Sequence, residues 1–110
     1  MRRTNKYYSN REKQIMKQLG LTRHTASGAG WIFKEDGSNN KILAQLKSTD
    51  NKSISIKLLD IENLERNALI SHKYPIFIID FISKGQQWIM VNIDDINLNN
   101  IGKEAFRIIK

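Results

Sequence analysis

The feature that most constrains the fold is an almost continuous apolar run at residues 76–82, Ile-Phe-Ile-Ile-Asp-Phe-Ile. A short, nearly unbroken apolar segment of this kind predicts a central β-strand that is covered on both faces. Lys84-Gly85 predicts a turn, and residues 86–93 predict a second strand that pairs with the first as a hairpin. Such a strand needs helices packed on its sheet, which favours an α/β or α+β domain.

A further strand is predicted at residues 42–47, because its side chains alternate with the period of a β-strand. One face is wholly apolar and is expected to join the core, whereas the other carries Gln45 and Lys47 two positions apart. An Asp36-Gly37 turn before the strand is expected to fold Asp36 back toward that polar pair. A carboxylate, an amide oxygen and a lysine then converge at one end of the sheet. The alternative is a solvated hairpin edge with ordinary polar residues.

The remaining elements are predicted from local signals. Ser9 and Glu12 have the spacing of a capping box, so a helix is predicted over residues 10–19, with Gly20 as its stop. Glu12 shares a face with Ile15 and Met16, which points its carboxylate toward the interior, as a cap or as a third acid of the site. The other predicted elements are short strands near residues 21–24 and 31–33, a helix over 56–72 with the stripe Leu58, Ile61, Leu64 and Ala68, and a helix over 101–110. The order predicts an α/β fold with a mixed central sheet flanked by helices.

Length and composition limit the class of protein. A chain of 110 residues has room for one domain with one modest core, and we expect a single domain over residues 1–110. There are no cysteines, which excludes disulfides and Cys-based zinc sites, and the only histidines are His24 and His72, which disfavours a histidine-rich metal site. No apolar run approaches the roughly 18 residues that span a bilayer, and no signal peptide is evident. The sequence therefore predicts a cytoplasmic protein with no membrane partner.

The positive charge is concentrated at the N-terminus. Residues 1–24 contain seven basic residues and one acid, a net charge of +6 out of the total of +7. We expect residues 1–8 to be a flexible basic arm. A block of this kind suits a polyphosphate backbone, and the alternative is a solubilising tail. The candidate DNA-binding residues are Arg2, Arg3, Lys6, Arg11, Arg23 and Lys34.

Taken together, these motifs resemble a known family. A basic arm, a helix that starts Arg11-Glu12, a Ser-Gly loop at 27–30, an Asp, a Gln-x-Lys strand, and a helix followed by a proline and an apolar strand are similar to the PD-(D/E)xK nuclease superfamily. Within it, the chain resembles archaeal and phage Holliday-junction resolvases of the Hjc type over residues 2–92. The resemblance implies a restriction-endonuclease-like fold. It places the catalytic roles on Glu12, Ser27, Asp36, Gln45 and Lys47.

The resemblance also implies a metal site. Mg²⁺, or Mn²⁺ in its place, would be held by Asp36, the Gln45 side-chain oxygen and the Leu46 carbonyl, with Glu12 bound directly or through water. Lys47 would orient a water or stabilise charge on the attacked phosphate. The sequence departs from the family pattern where Gln45 replaces an acid. It departs again at Asp36, which lacks a preceding proline and follows Glu35, so Glu35 is an alternative ligand.

The implied activity is cleavage of four-way DNA junctions. Two strands must be cut at related positions, so a symmetric homodimer is expected. One alternative is a restriction- or repair-type nuclease that acts on duplex DNA. Another is a DNA-binding module of the same fold in which Gln45 has removed the chemistry.

Overall fold

The structure is a computed structural model, and it describes residues 3–24 and 35–102. These residues form α1 (Asn5–Gln18), β1 (Thr22–Arg23), β2 (Gly37–Ser38), β3 (Ile42–Thr49), α2 (Leu58–Ser71), β4 (Tyr74–Phe81) and β5 (Gln86–Val91), followed by 3-10 helices at Ile93–Asp95 and Leu98–Asn100. The strand predicted at 31–33 lies outside the described residues, as does most of the helix predicted over 101–110.

The described strands form one mixed sheet in the order β1-β2-β3-β4-β5. β3 and β4 are parallel, with α2 as the crossover between them, and the other neighbouring strands are antiparallel. The predicted hairpin is confirmed, because β4 and β5 pair from Ile76–Val91 to Phe81–Gln86. Gly85 occupies its turn with a φ of 68°. An α/β arrangement with a mixed sheet flanked by helices is therefore confirmed.

Both faces of the sheet are covered, as the apolar run of β4 predicts. The core on one face is formed between α1 and the sheet by Ile15, Met16, Leu21, Ala44, Ile76 and Ile78. The core on the other face is formed between α2 and the sheet by Leu43, Leu64, Ala68 and Phe77. Gly37 lies close under α1, since a Cβ atom there would sit 2.6 Å from the Met16 sulfur. The two helices thus lie on opposite faces of the sheet.

The environment of β3 corrects one alternative from the sequence. β3 lies between β2 and β4, so it is not a solvated hairpin edge. Leu43, on the same side as Gln45 and Lys47, is only 3% exposed and belongs to the core under α2. Gln45 and Lys47 are half-buried. Gln45 and Lys47 therefore lie on the same face of β3 as the buried Leu43, which is the face that α2 covers.

The N-terminal prediction is wrong in two respects. α1 begins at Asn5, and its N-cap is Thr4, whose hydroxyl accepts a hydrogen bond from the Tyr7 N–H at 3.1 Å. That bond satisfies a backbone donor that the first helical turn leaves unpaired. The flexible arm expected over residues 1–8 therefore gives way to helix from Asn5, and Ser9 lies inside the helix, so it is not the capping residue. The predicted stop at Gly20 is confirmed by its left-handed φ of 72°.

α2 is shorter than predicted. It ends at His72, whose φ of 58° is left-handed. The predicted buried stripe is confirmed at Leu64 and Ala68 but is wrong at Leu58, which is the first residue of the helix and is 69% exposed. Within the described residues, neither helix combines the length and apolar character that crossing a bilayer requires.

Candidate active site

Asp36 lies immediately before β2 and alongside β3. Its backbone N–H donates to the Ala44 carbonyl at 3.0 Å, and its side-chain Oδ2 accepts from the Leu46 N–H at 2.7 Å. The sequence predicted this approach to β3 but placed the turn at Asp36-Gly37. The turn is instead formed by Asn39, whose Oδ1 accepts from the N–H groups of Lys41 and Ile42 at 2.8 Å each. This is the local bonding that favours Asn in turns.

The Asp36 carboxyl group has a perturbed protonation equilibrium. Burial raises its pKa to about 6, and the nearby carboxylates of Glu12 and Glu35 raise it further, whereas the Leu46 N–H and Arg23 oppose the shift. The carboxylates of its neighbour Glu35 and of Glu12 on α1 are therefore close enough to Asp36 to disfavour its ionisation. A raised carboxyl pKa at such a cluster is a property of functional sites, although structural clusters share it.

A polar cleft of about 350 Å³ opens between β3 and α2. Two of the predicted site residues, Gln45 and Lys47, line it. The residues that join them in the cleft wall are Glu35, Asp60, Asn63, Leu64, Arg66, Asn67 and Phe77. Glu35 therefore shares the cleft with Gln45 and Lys47, whereas Asp36 lies beside it, hydrogen-bonded to β3.

Hydrogen bonds fix two of the side chains in this cleft. Glu35 is 7% exposed, and its Oε1 accepts a hydrogen bond from the Asn67 amide. The Lys47 ammonium group donates to the Ser55 carbonyl at 3.0 Å and lies 3.7 Å from a carboxylate oxygen of Asp60. Both charged groups are therefore held by partners on or next to α2.

Glu12 lies on the inner side of α1 and forms an ion pair with Arg23, 3.1 Å away on β1. Arg23 also donates to the Ser9 hydroxyl at 2.7 Å. The predicted inward orientation of Glu12 is confirmed, since its side chain is only 22% exposed. Because Arg23 also lowers the Asp36 pKa, it connects Glu12 electrostatically to Asp36. Ser27 lies outside the described residues.

The donor chemistry fits a hard divalent cation. Among residues 3–24 and 35–102, no three His, Cys, Asp or Glu side chains are placed to hold a metal ion together. A site here would therefore combine carboxylate oxygens of Glu35 or Asp36 with the amide oxygen of Gln45 and the Leu46 carbonyl. Oxygen donors of this kind suit Mg²⁺ and Mn²⁺. Burial is the main cause of the raised Asp36 pKa, and the carboxylates of Glu12 and Glu35 add to it.

Three of the arginines predicted to bind DNA are engaged inside the protein. Arg3 lies 2.8 Å from the Asp50 carboxylate and 4.3 Å from the centre of the Tyr7 ring. Arg23 is paired with Glu12, as described above. Arg11 donates two hydrogen bonds to Asp80, one of them at 2.8 Å. Lys6 is exposed on α1, and Arg2 and Lys34 lie outside the described residues.

The Arg11–Asp80 pair is part of a buried network. Asp80 is fully buried in β4, and it also accepts hydrogen bonds from the Ser48 hydroxyl and the Gln87 amide at 2.9 Å each. Burial alone would raise the Asp80 pKa, but the hydrogen bonds from Arg11, Gln87 and Ser48 outweigh it and hold the pKa below its usual value. The network joins α1 to three adjacent strands, so Arg11 has a structural role.

The sequence interpretation missed several residues of the site. The helix over 56–72 was predicted from its apolar residues alone, so its polar residues Asp60, Asn63 and Asn67 were overlooked. Their spacing of three and four residues places them on one helical face, and that polar spacing is the signal that could have found them.

The sequence interpretation considered His24 only as a possible metal ligand. Its ring lies 3.0 Å from the Glu35 carbonyl and 2.8 Å from the Ser38 hydroxyl, bridging β1 to the segment that carries the two acids.

Comparison of the chain with known protein families, with curated proteins and with solved structures found no match.

Proposed function

We propose that this chain is a metal-dependent endodeoxyribonuclease with a restriction-endonuclease-like fold, similar to the Holliday-junction resolvases of the Hjc type and acting on four-way DNA junctions. The observation that carries the proposal is the shared cleft. Glu35, Gln45 and Lys47 line it together, and Asp36, with its raised pKa, is hydrogen-bonded to the strand between Gln45 and Lys47.

The reaction is hydrolysis of a phosphodiester. Water attacks phosphorus and gives up a proton to solvent or to a carboxylate, while the bond from phosphorus to the leaving oxygen breaks and that oxygen takes up a proton from solvent. A bound Mg²⁺ or Mn²⁺ supplies polarisation of the phosphate and acidification of water. Glu35, Gln45 and Asp36 are the residues that would hold it.

The Lys47 ammonium group would stabilise negative charge as it develops on the phosphate oxygens. Its contacts with Ser55 and Asp60 hold it on the wall of the cleft, which reduces the reorganisation needed when substrate arrives. Asp60 is a partly exposed partner 3.7 Å from the Lys47 ammonium group, so a phosphate can replace it beside Lys47.

A homodimer is part of the same proposal, and β5 supports it. Among the described strands, β5 lies at the edge of the sheet; it has no charged residue, and Trp88 and Ile89 are 60% and 50% exposed. If a second copy pairs antiparallel about Ile89, Trp88 comes opposite Met90 and Gln87 opposite Val91. No like charges then face each other within the paired strands, which suits self-pairing, because like charges directly opposite one another destabilise a sheet. This DNA-directed function implies an intracellular location.

The test is cleavage of a labelled four-way junction beside a linear duplex of the same arms, with Mg²⁺ or Mn²⁺. Lys47→Ala is expected to lose cleavage by roughly 100-fold or more, the scale for removing a preorganised charge-stabilising group. Lys52→Ala, an exposed loop lysine, is the matched control and should cleave normally.

Three outcomes separate the readings. Cleavage of the junction in preference to the duplex supports the proposal. Equal cleavage of both substrates supports a duplex nuclease. Binding without cleavage at any metal concentration supports a DNA-binding module. Cleavage by Lys47→Ala within a few-fold of the wild type would remove Lys47 from the site.

A further inference from the structure

The outward face of α1 carries a row of cations that the candidate site does not use. Lys6, Asn10, Lys13 and Lys17 are all exposed and succeed one another at intervals of four, three and four residues, so they lie along one face of the helix. We call these four residues the α1 lysine stripe. It extends for about 16 Å at 1.5 Å per residue.

The composition of this face differs from that of an ordinary solvated helix. No acid interrupts the stripe, because the one acid of α1, Glu12, points inward to Arg23. Lys13 and Lys17 are spaced i, i+4, which places like charges next to each other, and Lys6 lies in the first turn, where the helix dipole favours anions. Both placements are unfavourable in the isolated helix. A bound polyanion would offset both.

The stripe is separate from the cleft. α1 and α2 cover opposite faces of the sheet, and the stripe faces away from the sheet. α2 carries the acids Asp60, Glu62 and Glu65 and one cation, Arg66, so it is net acidic, whereas α1 is net basic. Arg3, Arg11 and Arg23, three of the six residues predicted to bind DNA, are held in ion pairs. The stripe therefore offers cations that are free of ion pairs within the described part of the chain.

The chemistry of the stripe favours nucleic acid over a membrane. Helices that lie on bilayers bury an apolar face in the lipid, but the apolar residues of α1 at Ile15 and Met16 are already buried against the sheet. The stripe combines ammonium groups with the amide of Asn10, and Gln14 is exposed beside it. Lysine, Asn and Gln are among the side chains that contact phosphate oxygens on DNA.

We propose that the α1 lysine stripe binds the sugar-phosphate backbone of a DNA duplex. The inference deepens the proposed function, on which it rests for the choice of DNA. Because the stripe and the cleft lie on opposite sides of the sheet, they contact different duplex segments, and a branched substrate provides such segments. The stripe carries no base-reading geometry, so its binding is independent of sequence.

The experiment measures the affinity of a labelled 20-base-pair duplex across a range of salt concentrations, in EDTA so that no cleavage occurs. The test variant is Lys6→Gln/Lys13→Gln/Lys17→Gln. The control is Lys52→Gln/Lys57→Gln/Lys84→Gln, which removes the same charge from exposed positions elsewhere. Loss of three phosphate contacts should make the slope of log K against log salt shallower by about 2.7 and weaken binding by about tenfold or more at low salt. Circular dichroism should show both variants folded.

Two results would overturn the proposal. The first is a control variant that loses as much affinity and slope as the stripe variant, because net charge alone would then explain binding. The second is a stripe variant that binds the duplex as the wild type does; if that variant also no longer binds vesicles containing phosphatidylserine, the stripe is a membrane-binding surface. Failure of the nuclease proposal looks different, because the stripe variant would still differ from the control in EDTA while the wild type cleaves nothing.

Discussion

Asp36 and Leu46 are joined by a 2.7 Å hydrogen bond from the Leu46 backbone N–H to the Asp36 carboxylate. The bond holds an acid against β3 between the two residues whose side chains enter the cleft, Gln45 and Lys47. It also favours the ionised form of Asp36, yet burial and the neighbouring acids raise the pKa to about 6. Asp36 is therefore held in place while its negative charge is opposed.

We expect the free energy of unfolding of the protein to depend on pH through the ionisation of Asp36. A folded-state pKa of about 6, against a usual value of 3.8, means that the folded protein binds this proton more tightly than the unfolded chain does. The stabilisation is complete below about pH 4 and is lost as the pH rises through 6. The Asp36→Asn variant keeps an oxygen acceptor for Leu46 but cannot ionise. Its free energy of unfolding, relative to the wild type, should increase by roughly 2–3 kcal/mol between pH 4 and pH 8.

Urea denaturation at several pH values measures this difference. The control is Asp95→Asn, which changes an exposed acid outside the site. A difference between Asp36→Asn and the wild type that is constant with pH would contradict the raised pKa.

Features that depend on residues close together in the sequence were predicted correctly more often than features that depend on distant residues. The β4–β5 hairpin was predictable because an apolar run, a Lys-Gly turn and a second run are adjacent in the chain. The N-cap was missed because Ser9 offered a stronger motif than Thr4, although Thr4 precedes the helix and Ser9 does not. The partners of Arg11 could not be predicted, since Asp80 is 69 residues away and only packing of α1 on the sheet brings them together.

The same contrast applies to the site. The proximity of Asp36 to β3 followed from their closeness in sequence, whereas the contribution of Asn67 depends on how α2 crosses the sheet. The choice between Glu35 and Asp36 also required the fold, because adjacent residues in an extended segment can face different surroundings. Only the structure shows that Glu35 reaches Asn67 while Asp36 reaches Leu46.

We predict that Glu35 contributes more to metal binding than Asp36 does, because Glu35 shares the cleft with Gln45 and Lys47. Mn²⁺ in the millimolar range should raise the unfolding temperature of the wild type at pH 8, since a ligand that binds the folded state stabilises it. Glu35→Gln should abolish that increase, and Asp36→Asn should reduce it less. The measurement is thermal unfolding with and without the metal, with Asp95→Asn as control. The opposite ranking of the two variants would assign the metal to Asp36.

The Arg11–Asp80 pair should be required for stability. Removing Arg11 leaves the fully buried Asp80 carboxylate without its cation, so Arg11→Met should cost about 3 kcal/mol of unfolding free energy. Arg11→Met/Asp80→Asn should recover part of that loss, because the remaining amide is neutral. Arg3→Met is the matched control: the Arg3–Asp50 pair is about one-third exposed on each side, and its loss should cost clearly less than the loss of Arg11. Equal losses for Arg3 and Arg11 would mean that the burial of Asp80 does not govern the effect.

Dimerisation through β5 should be sensitive to a charge at its centre. In a pairing about Ile89, that residue lies opposite its own copy, so Ile89→Lys opposes two like charges and should yield a monomer. Light scattering after size exclusion measures the mass. Leu69→Lys is the control, since Leu69 is 76% exposed on α2 and should leave the mass unchanged. A wild type that remains monomeric at high concentration would remove the dimer from the proposal.

The last prediction concerns Gln45, which supplies the proposed metal site with a neutral oxygen in place of a carboxylate. With one negative charge fewer, the site should need millimolar Mg²⁺, and Mn²⁺ should be the better cofactor because it ranks higher in affinity for such donors. Gln45→Glu adds a charged ligand of nearly the same shape, so it should lower the metal concentration for half-maximal cleavage.

Without metal, the carboxylate added by Gln45→Glu should repel the neighbouring carboxylates and destabilise the protein. A further carboxylate near Glu35 and Asp36 should raise the pKa of Asp36 above about 6, since like charges disfavour ionisation. Stability at pH 8 should therefore fall in EDTA and recover when Mn²⁺ is added, whereas Gln18→Glu, an exposed change on α1, should show neither response. If Gln45→Glu cleaves DNA and the wild type does not at any metal concentration, the natural chain is a binding module whose amide has removed the chemistry. If neither cleaves and metal stabilises neither, the cleft is not a metal site.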